Sequence, residues 1–179
     1  MAETATKPKR TRKKGAKTLA REYFEALGRQ DLDAAVALWR DGSPDRLHGI
    51  FDAEAPDGIR AWFSQLFAAF PDFELEILEI AASGDNAAVR WRGTGTFTGP
   101  GRFQGLAPNG ARVELEGCDM FRVADGKIVE NNAYSNGMEL AQQLGVLPPQ
   151  GSFGEKAVTG LVNARTAATD AVRRFRERS

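Results

Sequence analysis

An aspartate stands where an apolar residue would be expected. Residues 112–136 read RVELEGCDMFRVADGKIVENNAYSN, and the period of two sets Val113, Leu115, Gly117, Asp119, Phe121 and Val123 on one face. If that face points inward, burial raises the pKa of Asp119 and makes it a general acid, a base or an oxyanion donor. A structural reading stands beside this one, with the carboxylate bonded to Arg90, Arg92 or a neighbouring strand. His48 is the single histidine. It can act as a base near neutral pH, or simply pack and hydrogen-bond. Asp52 is a further acid candidate in a loop shared with Glu54 and Asp57, a setting that also suits solvated carboxylates. Asn131, Tyr134 and Ser135 are neutral groups able to orient a polar atom of a ligand. One histidine and one cysteine, Cys118, leave no basis for a His/Cys metal site or an intrachain disulfide.

These residues need elements to hold them. Asp125-Gly126 between alternating runs signals a tight hairpin, because glycine takes positive φ without steric cost. Asn131, Ala133 and Ser135 share a face expected to point inward, unless a bulge exchanges it for Asn132 and Tyr134. Upstream, Leu19, Tyr23, Phe24 and Leu27 recur at helical spacing over residues 17–29. Asp31 is placed to cap a second helix running to Arg40, with Leu32, Ala35, Val36 and Trp39 on its apolar side. LHGIF, residues 47–51, reads as one short strand. A third helix starts near Asp57 and carries Ile59, Trp62, Phe63, Leu66, Phe67 and Phe70, enough apolar surface to cover a core or to roof a cavity. Residues 73–82 alternate and then change phase at Leu78, which suggests a bulge. In residues 87–97, Val89, Trp91, Gly93, Gly95 and Phe97 face one way, with Arg90 and Arg92 on the other. Trp91, Trp62, Phe67 and Tyr23 are core residues or, if a cavity exists, its lining.

The helices precede a run of long strands, the order of an α+β domain with helices on one face of a curved antiparallel sheet. Such a sheet coils into a cone whose mouth can hold a small ligand. The organisation expected is a disordered basic tail over residues 1–16, a domain over 17–149, and an amphipathic basic helix over 150–179. Of 179 residues 42% are hydrophobic, an ordinary globular mixture. Net charge is zero but unevenly spread. Residues 1–17 hold seven Lys/Arg against one Glu, and residues 151–179 hold six against three acids. The middle therefore carries 11 basic and 20 acidic residues, which argues against nucleic acid as a ligand of the domain itself. Nucleic acid or another polyanion remains a partner only for the basic N-terminal tail. No run approaches the roughly 18 apolar residues of a membrane span, and no export signal is evident, so a cytoplasmic location without membrane contact is expected.

Several segments carry a resemblance. Gly58-Ile59-Arg60-Ala61-Trp62-Phe63, Phe70-Pro71-Asp72-Phe73, Gly93-Thr94-Gly95-Thr96-Phe97, Asp119-Met120-Phe121-Arg122, Asp125-Gly126-Lys127-Ile128-Val129-Glu130 and Gln142-Gln143-Leu144-Gly145-Val146-Leu147-Pro148 resemble the SnoaL-like, polyketide cyclase-like branch of the nuclear-transport-factor-2-like superfamily. The resemblance spans residues 18–149. It implies a cone-shaped sheet wrapped by three N-terminal helices. It does not imply one reaction, since the fold hosts isomerases, cyclases, hydrolases, dehydratases and inert binders. Ketosteroid isomerase has an aspartate at the position resembling Asp119, kept protonated to donate to an oxyanion. That enzyme also has an aspartate base near its short first strand, for which Asp52 is the nearest match. Limonene epoxide hydrolase places an aspartate of its Asp-Arg-Asp set where Ala133 stands. Polyketide cyclases carry a histidine and an acid near residues 131–136, where this chain has amides.

Two classes of function follow. One is a cofactor-independent cyclase, isomerase or hydratase acting on a small apolar organic molecule. In it Asp119 handles the proton, His48 or Asp52 assists, and Asn131 or Tyr134 orients an oxygen. The other is a non-catalytic ligand-binding or dimerising module with polyanion-binding tails. A homodimer is expected through the outer sheet face, whose row Glu114, Glu116, Cys118, Met120 and Arg122 is half polar.

Overall fold

The computed structural model describes residues 13–176. Residues 1–12, most of the expected basic tail, lie outside the described residues. Helix α1 (Ala16–Gly28) opens the fold. It is followed by α2 (Leu32–Val36), β1 (Pro44–Leu47), β2 (Phe51–Glu54), α3 (Asp57–Ala69), β3 (Glu74–Ser83), β4 (Asn86–Thr96), β5 (Arg112–Ala124), β6 (Lys127–Ser135), α4 (Gly137–Gln143) and α5 (Phe153–Arg176). The six strands form one sheet in the order β2-β1-β6-β5-β4-β3. All neighbours are antiparallel except β1 and β6, which run parallel.

The apolar stripe of α1 docks on the inner face of this sheet. Leu19, Tyr23, Phe24 and Leu27 are all buried. The Tyr23 and Phe24 rings meet Phe121 of β5 edge-on, with centroids 5.8 and 6.1 Å apart. The β5–β6 hairpin turns on Asp125 and Gly126, with φ of 54° and 78°, the pair of positive values that a two-residue turn of right-handed twist requires. The phase change in β3 is a register shift between Ile77 and Glu79. Gly93 and Gly95 make room for aromatic rings. A Cβ at Gly93 would lie 3.2 Å from Phe73, and one at Gly95 would lie 3.2 Å from Phe70.

Two segments depart from the sequence reading. The second helix stops at Val36, well short of Arg40, although Asp31 caps it as expected by accepting from the Ala34 amide at 3.0 Å. The cause is competition from the sheet. Ile128 takes the following backbone, donating to Leu38 and accepting from Arg40, each at 2.9 Å. The single strand expected over residues 47–51 is instead a hairpin of β1 and β2. His48–Ile50 form its turn, and Gly49 has φ of 80°. β1 begins at Pro44 because it pairs with β6, setting Asp45 opposite Asn131 and Leu47 opposite Ala133. A pairing partner some 86 residues away leaves no local trace.

Two apolar clusters result. One gathers Tyr23, Phe24, Leu27, Val89, Phe121 and Ile128, and the other gathers Phe70, Phe97, Phe103 and Val113. α4 is fastened to the sheet by Gln143, whose side-chain amide bonds both the N–H and the C=O of Glu114 at 2.8 and 2.9 Å. In α5 the Phe153, Val158, Leu161 and Val162 side chains are exposed. No helix among the described residues is long and apolar enough to cross a membrane.

Candidate functional site

The inward row of β5 is as the alternation predicts, and Asp119 is buried at 6% exposure. Its neighbours are neutral. Trp91 of β4 donates its indole N–H to Asp119 Oδ1 at 2.7 Å, and Asn131 of β6 donates Nδ2–H to Asp119 Oδ2 at 2.7 Å. The same Asn131 Nδ2 donates to Asp45 Oδ1 at 2.9 Å, and the Tyr23 hydroxyl of α1 donates to Asp45 Oδ2 at 3.4 Å. Each of the four carboxyl oxygens thus meets one uncharged donor, and the two acids are joined through one amide nitrogen. Arg90 and Arg92 are not involved. They point to the other face of the sheet, where both pair with Glu116 at 2.7 and 2.8 Å. Of the structural alternative for Asp119, the bond to an arginine is not made, whereas the bonds to neighbouring strands are, through Trp91 of β4 and Asn131 of β6.

Burial without a counter-ion among the described residues shifts both acids. Asp45 is pushed up to about 7, first by loss of water and then by the charge of Asp119. Asp119 rises to about 6 through desolvation, opposed by the bonds from Trp91 and Asn131. Tyr23 is raised well above its ordinary value by burial and by the two carboxylates, so it remains a protonated donor. Near neutral pH the two acids titrate as a pair, and a singly protonated pair offers a base and an acid side by side.

The pair faces a cavity of about 120 Å³ lying between the two apolar clusters. Tyr23, Asp45, Asp119 and Asn131 form its polar pole. The remaining wall is apolar and aromatic, with Trp62 and Leu66 from α3, Phe103 from the β4–β5 loop and Leu140 from α4. Trp62 is held by stacking on Phe51 at 4.2 Å, so the broad face of α3 does roof a cavity. Trp91 reaches Asp119 because Gly117 lies beneath it. A Cβ there would sit 2.7 Å from indole Cε2 and collide with the ring.

The structure brings together Asp119, Asn131, Trp91, Trp62 and Tyr23 of the expected set. It separates the others from them. His48 sits in the β1–β2 turn on the outer face, stacked on Tyr134 at 4.6 Å with its Nε2 3.1 Å from Asn132 Oδ1. Tyr134 is itself 52% exposed, so neither it nor His48 reaches the cavity. Asp52 is exposed on β2, on the wall of a shallow outer groove. Phe67 packs beside Phe63 and Phe73 outside the cavity wall. Ser135 has the inward parity, and its hydroxyl is buried without a partner among the described residues, but it does not line the cavity. The second acid, Asp45, was missed. It follows Asp41-Gly42-Ser43-Pro44, which reads as a turn, and four residues of β1 are too few to show alternation. The resemblance asked for an aspartate near the first strand and found Asp52, which β2 turns outward.

The profile of the SnoaL-like polyketide cyclases matches residues 17–144. The chain belongs to this family. Among solved structures it is similar to AclR from Streptomyces galilaeus, a candidate hydroxylase. That pair has 29% identity and a TM-score of 0.65, over 86% of this chain and 95% of that one. It is also similar to IdmH from Streptomyces antibioticus, a candidate polyketide cyclase, at 29% identity and a TM-score of 0.59, over 72% of this chain and 96% of IdmH. An LEH-like epoxide hydrolase of M. tuberculosis shares the fold at 19% identity and a TM-score of 0.56, over 72% of this chain and 87% of that chain. No curated protein matches the chain in sequence. In this SnoaL-like domain the titratable groups come from β1 and β5, while β6 supplies the amide between them. No group of three or more His, Cys, Asp or Glu among the described residues is placed to hold a metal ion.

Proposed function

We propose that the cavity binds a small, largely apolar organic molecule and that Asp45 and Asp119 move a proton on it, as a cyclisation, isomerisation or hydration requires. The observation that carries this reading is the pair of buried carboxyls, without a counter-ion among the described residues, at the polar end of an apolar cavity. Such a pair is poor for stability and well suited to proton transfer near neutral pH. The carboxylate form takes a proton from an acidic C–H or O–H of the bound molecule, and the protonated partner gives one to an oxygen or carbon. Tyr23 and Trp91 hold the two carboxyls in place as donors. The apolar wall excludes water, which strengthens each electrostatic contact inside. The family and the candidate cyclase and hydroxylase among its structural relatives support a reaction of this class.

The test is deuterium wash-in. In D2O at neutral pD, the protein should accelerate exchange of the α-hydrogens of 2-hydroxy-1-phenylethanone, a single-ring ketone whose hydroxyl and exchanging carbon are adjacent, followed by NMR. Asp119→Asn and Asp45→Asn should each lower the accelerated rate by about a hundredfold or more, the usual worth of a positioned general acid or base. An Asp119→Asn protein that is folded and exchanges the ketone at the wild-type rate removes Asp119 from the role.

A further inference from the structure

Asn131 is 1% exposed and forms part of the cavity wall, yet its Oδ1 has no hydrogen-bond partner among the described residues. Both hydrogens of its Nδ2 are committed, one to Asp45 at 2.9 Å and one to Asp119 at 2.7 Å. The amide cannot simply be turned over. That would set its oxygen against carboxyl oxygens at the same two distances, acceptor against acceptor, unless both acids were protonated. So Oδ1 is the end left free. The donors of the polar pole are already used, with the Tyr23 hydroxyl on Asp45 and the Trp91 N–H on Asp119, and the unpartnered indole N–H of Trp39, packed on Tyr23, is not part of the cavity wall. The polar pole is therefore a cluster of acceptors lacking one donor, in a protein interior where buried acceptors are almost always satisfied.

We propose that Asn131 Oδ1 accepts a hydrogen bond from a hydroxyl of the bound molecule, so that the cavity selects an apolar ligand bearing an alcohol, phenol or enol O–H. This inference rests on the cavity being the ligand site, and it adds the chemistry of the ligand's polar end. A ligand carboxylate is disfavoured, because it brings a third set of acceptors and a negative charge beside Asp45 and Asp119. A ligand with only apolar groups leaves Oδ1 unsatisfied. Asn131 is here a specificity-determining residue, acting by contact with the ligand rather than by proton transfer.

Single-ring probes suit the cavity, since a space of about this size holds one benzene ring. p-Cresol and p-xylene differ by a hydroxyl for a methyl at nearly constant shape, and p-toluate carries the anion. Calorimetric titration of the full chain at about pH 8 should show p-cresol binding about tenfold or more tighter than p-xylene, against the trend that desolvation of the hydroxyl would set in a purely apolar pocket. p-Toluate should bind more weakly than p-cresol. With selective 13C labelling, the Asn131 side-chain carbonyl resonance should move on adding p-cresol and stay in place with p-xylene. Equal or tighter binding of p-xylene, or p-toluate binding as well as p-cresol, overturns the inference while leaving the cavity as a ligand site. A preference for p-cresol with the Asn131 carbonyl unmoved also overturns it, assigning the hydroxyl to a carboxylate instead. If none of the three binds up to millimolar concentration, the cavity reading itself fails and the inference falls with it.

Discussion

Asp45→Asn should make this protein more stable at alkaline pH, an unusual outcome for replacing a buried, fully hydrogen-bonded residue. Asp45 is raised from 3.8 to about 7, so its ionised form is disfavoured in the folded state. A folded pKa above the unfolded one adds stability that is fully present below about pH 4 and is lost as pH rises through about 7. At about 1.4 kcal/mol for each pKa unit, the ionised residue costs about 4 kcal/mol above that range relative to the protonated one. Asparagine has nearly the same shape and no charge, and its carbonyl can still accept from Tyr23. One amide contact with Asn131 is lost, worth about 1 kcal/mol. The net gain expected at about pH 8 is therefore about 3 kcal/mol, a rise in Tm on the order of 10 °C for a domain of this size. At about pH 5 the wild type holds its proton and the variant should be equal or slightly less stable. The exposed or half-buried carboxylates with lowered pKa, Asp72, Glu116, Asp125 and Glu130, act in the opposite sense, and their stability is lost as pH falls through the acid range, outside this comparison. Urea unfolding followed by tryptophan fluorescence at the two pH values measures the difference directly. If Asp45→Asn is less stable than wild type at the higher pH, or if both proteins show the same pH dependence, Asp45 is not the strained acid described above. A stabilising replacement that abolishes wash-in would mark the pair as retained at a cost to stability, as functional sites often are.

Gly117→Ala should displace the Trp91 indole and break its 2.7 Å bond to Asp119. The expected loss is about 1–3 kcal/mol, the usual range for overpacking. A shift in tryptophan emission should accompany it, and an unchanged spectrum and melting curve would count against that role for the glycine. His48→Ala should leave α-hydrogen exchange and probe binding unaffected, because its ring lies against Tyr134 on the outer face. A large loss of either would return His48 to the site.

Much of this architecture was legible in residue spacing. The α1 stripe, the Asp125-Gly126 hairpin, the bulge in β3 and the inward parity of β5 all follow from local periodicity and turn chemistry. Asp119 was legible for the same reason, as the one polar member of the inward row of a strand thirteen residues long. Asn131 was legible by parity too, though only as one of two faces that a bulge exchanges; the register shift that does occur, at Arg122/Val123, comes before that stretch and leaves Asn131 inward. What the chain could not show by itself is what those faces meet. Asp45 enters the site through a parallel pairing of β1 with β6, and the same pairing turns His48 and Asp52 away. That choice depends on a strand far along the chain, and four residues carry too little pattern to announce it. The alternation of β5 was thus enough to place an acid in the interior. Only the tertiary structure decided that a second acid stands beside it, that an amide and not an arginine joins them, and that the space in front of the pair remains open.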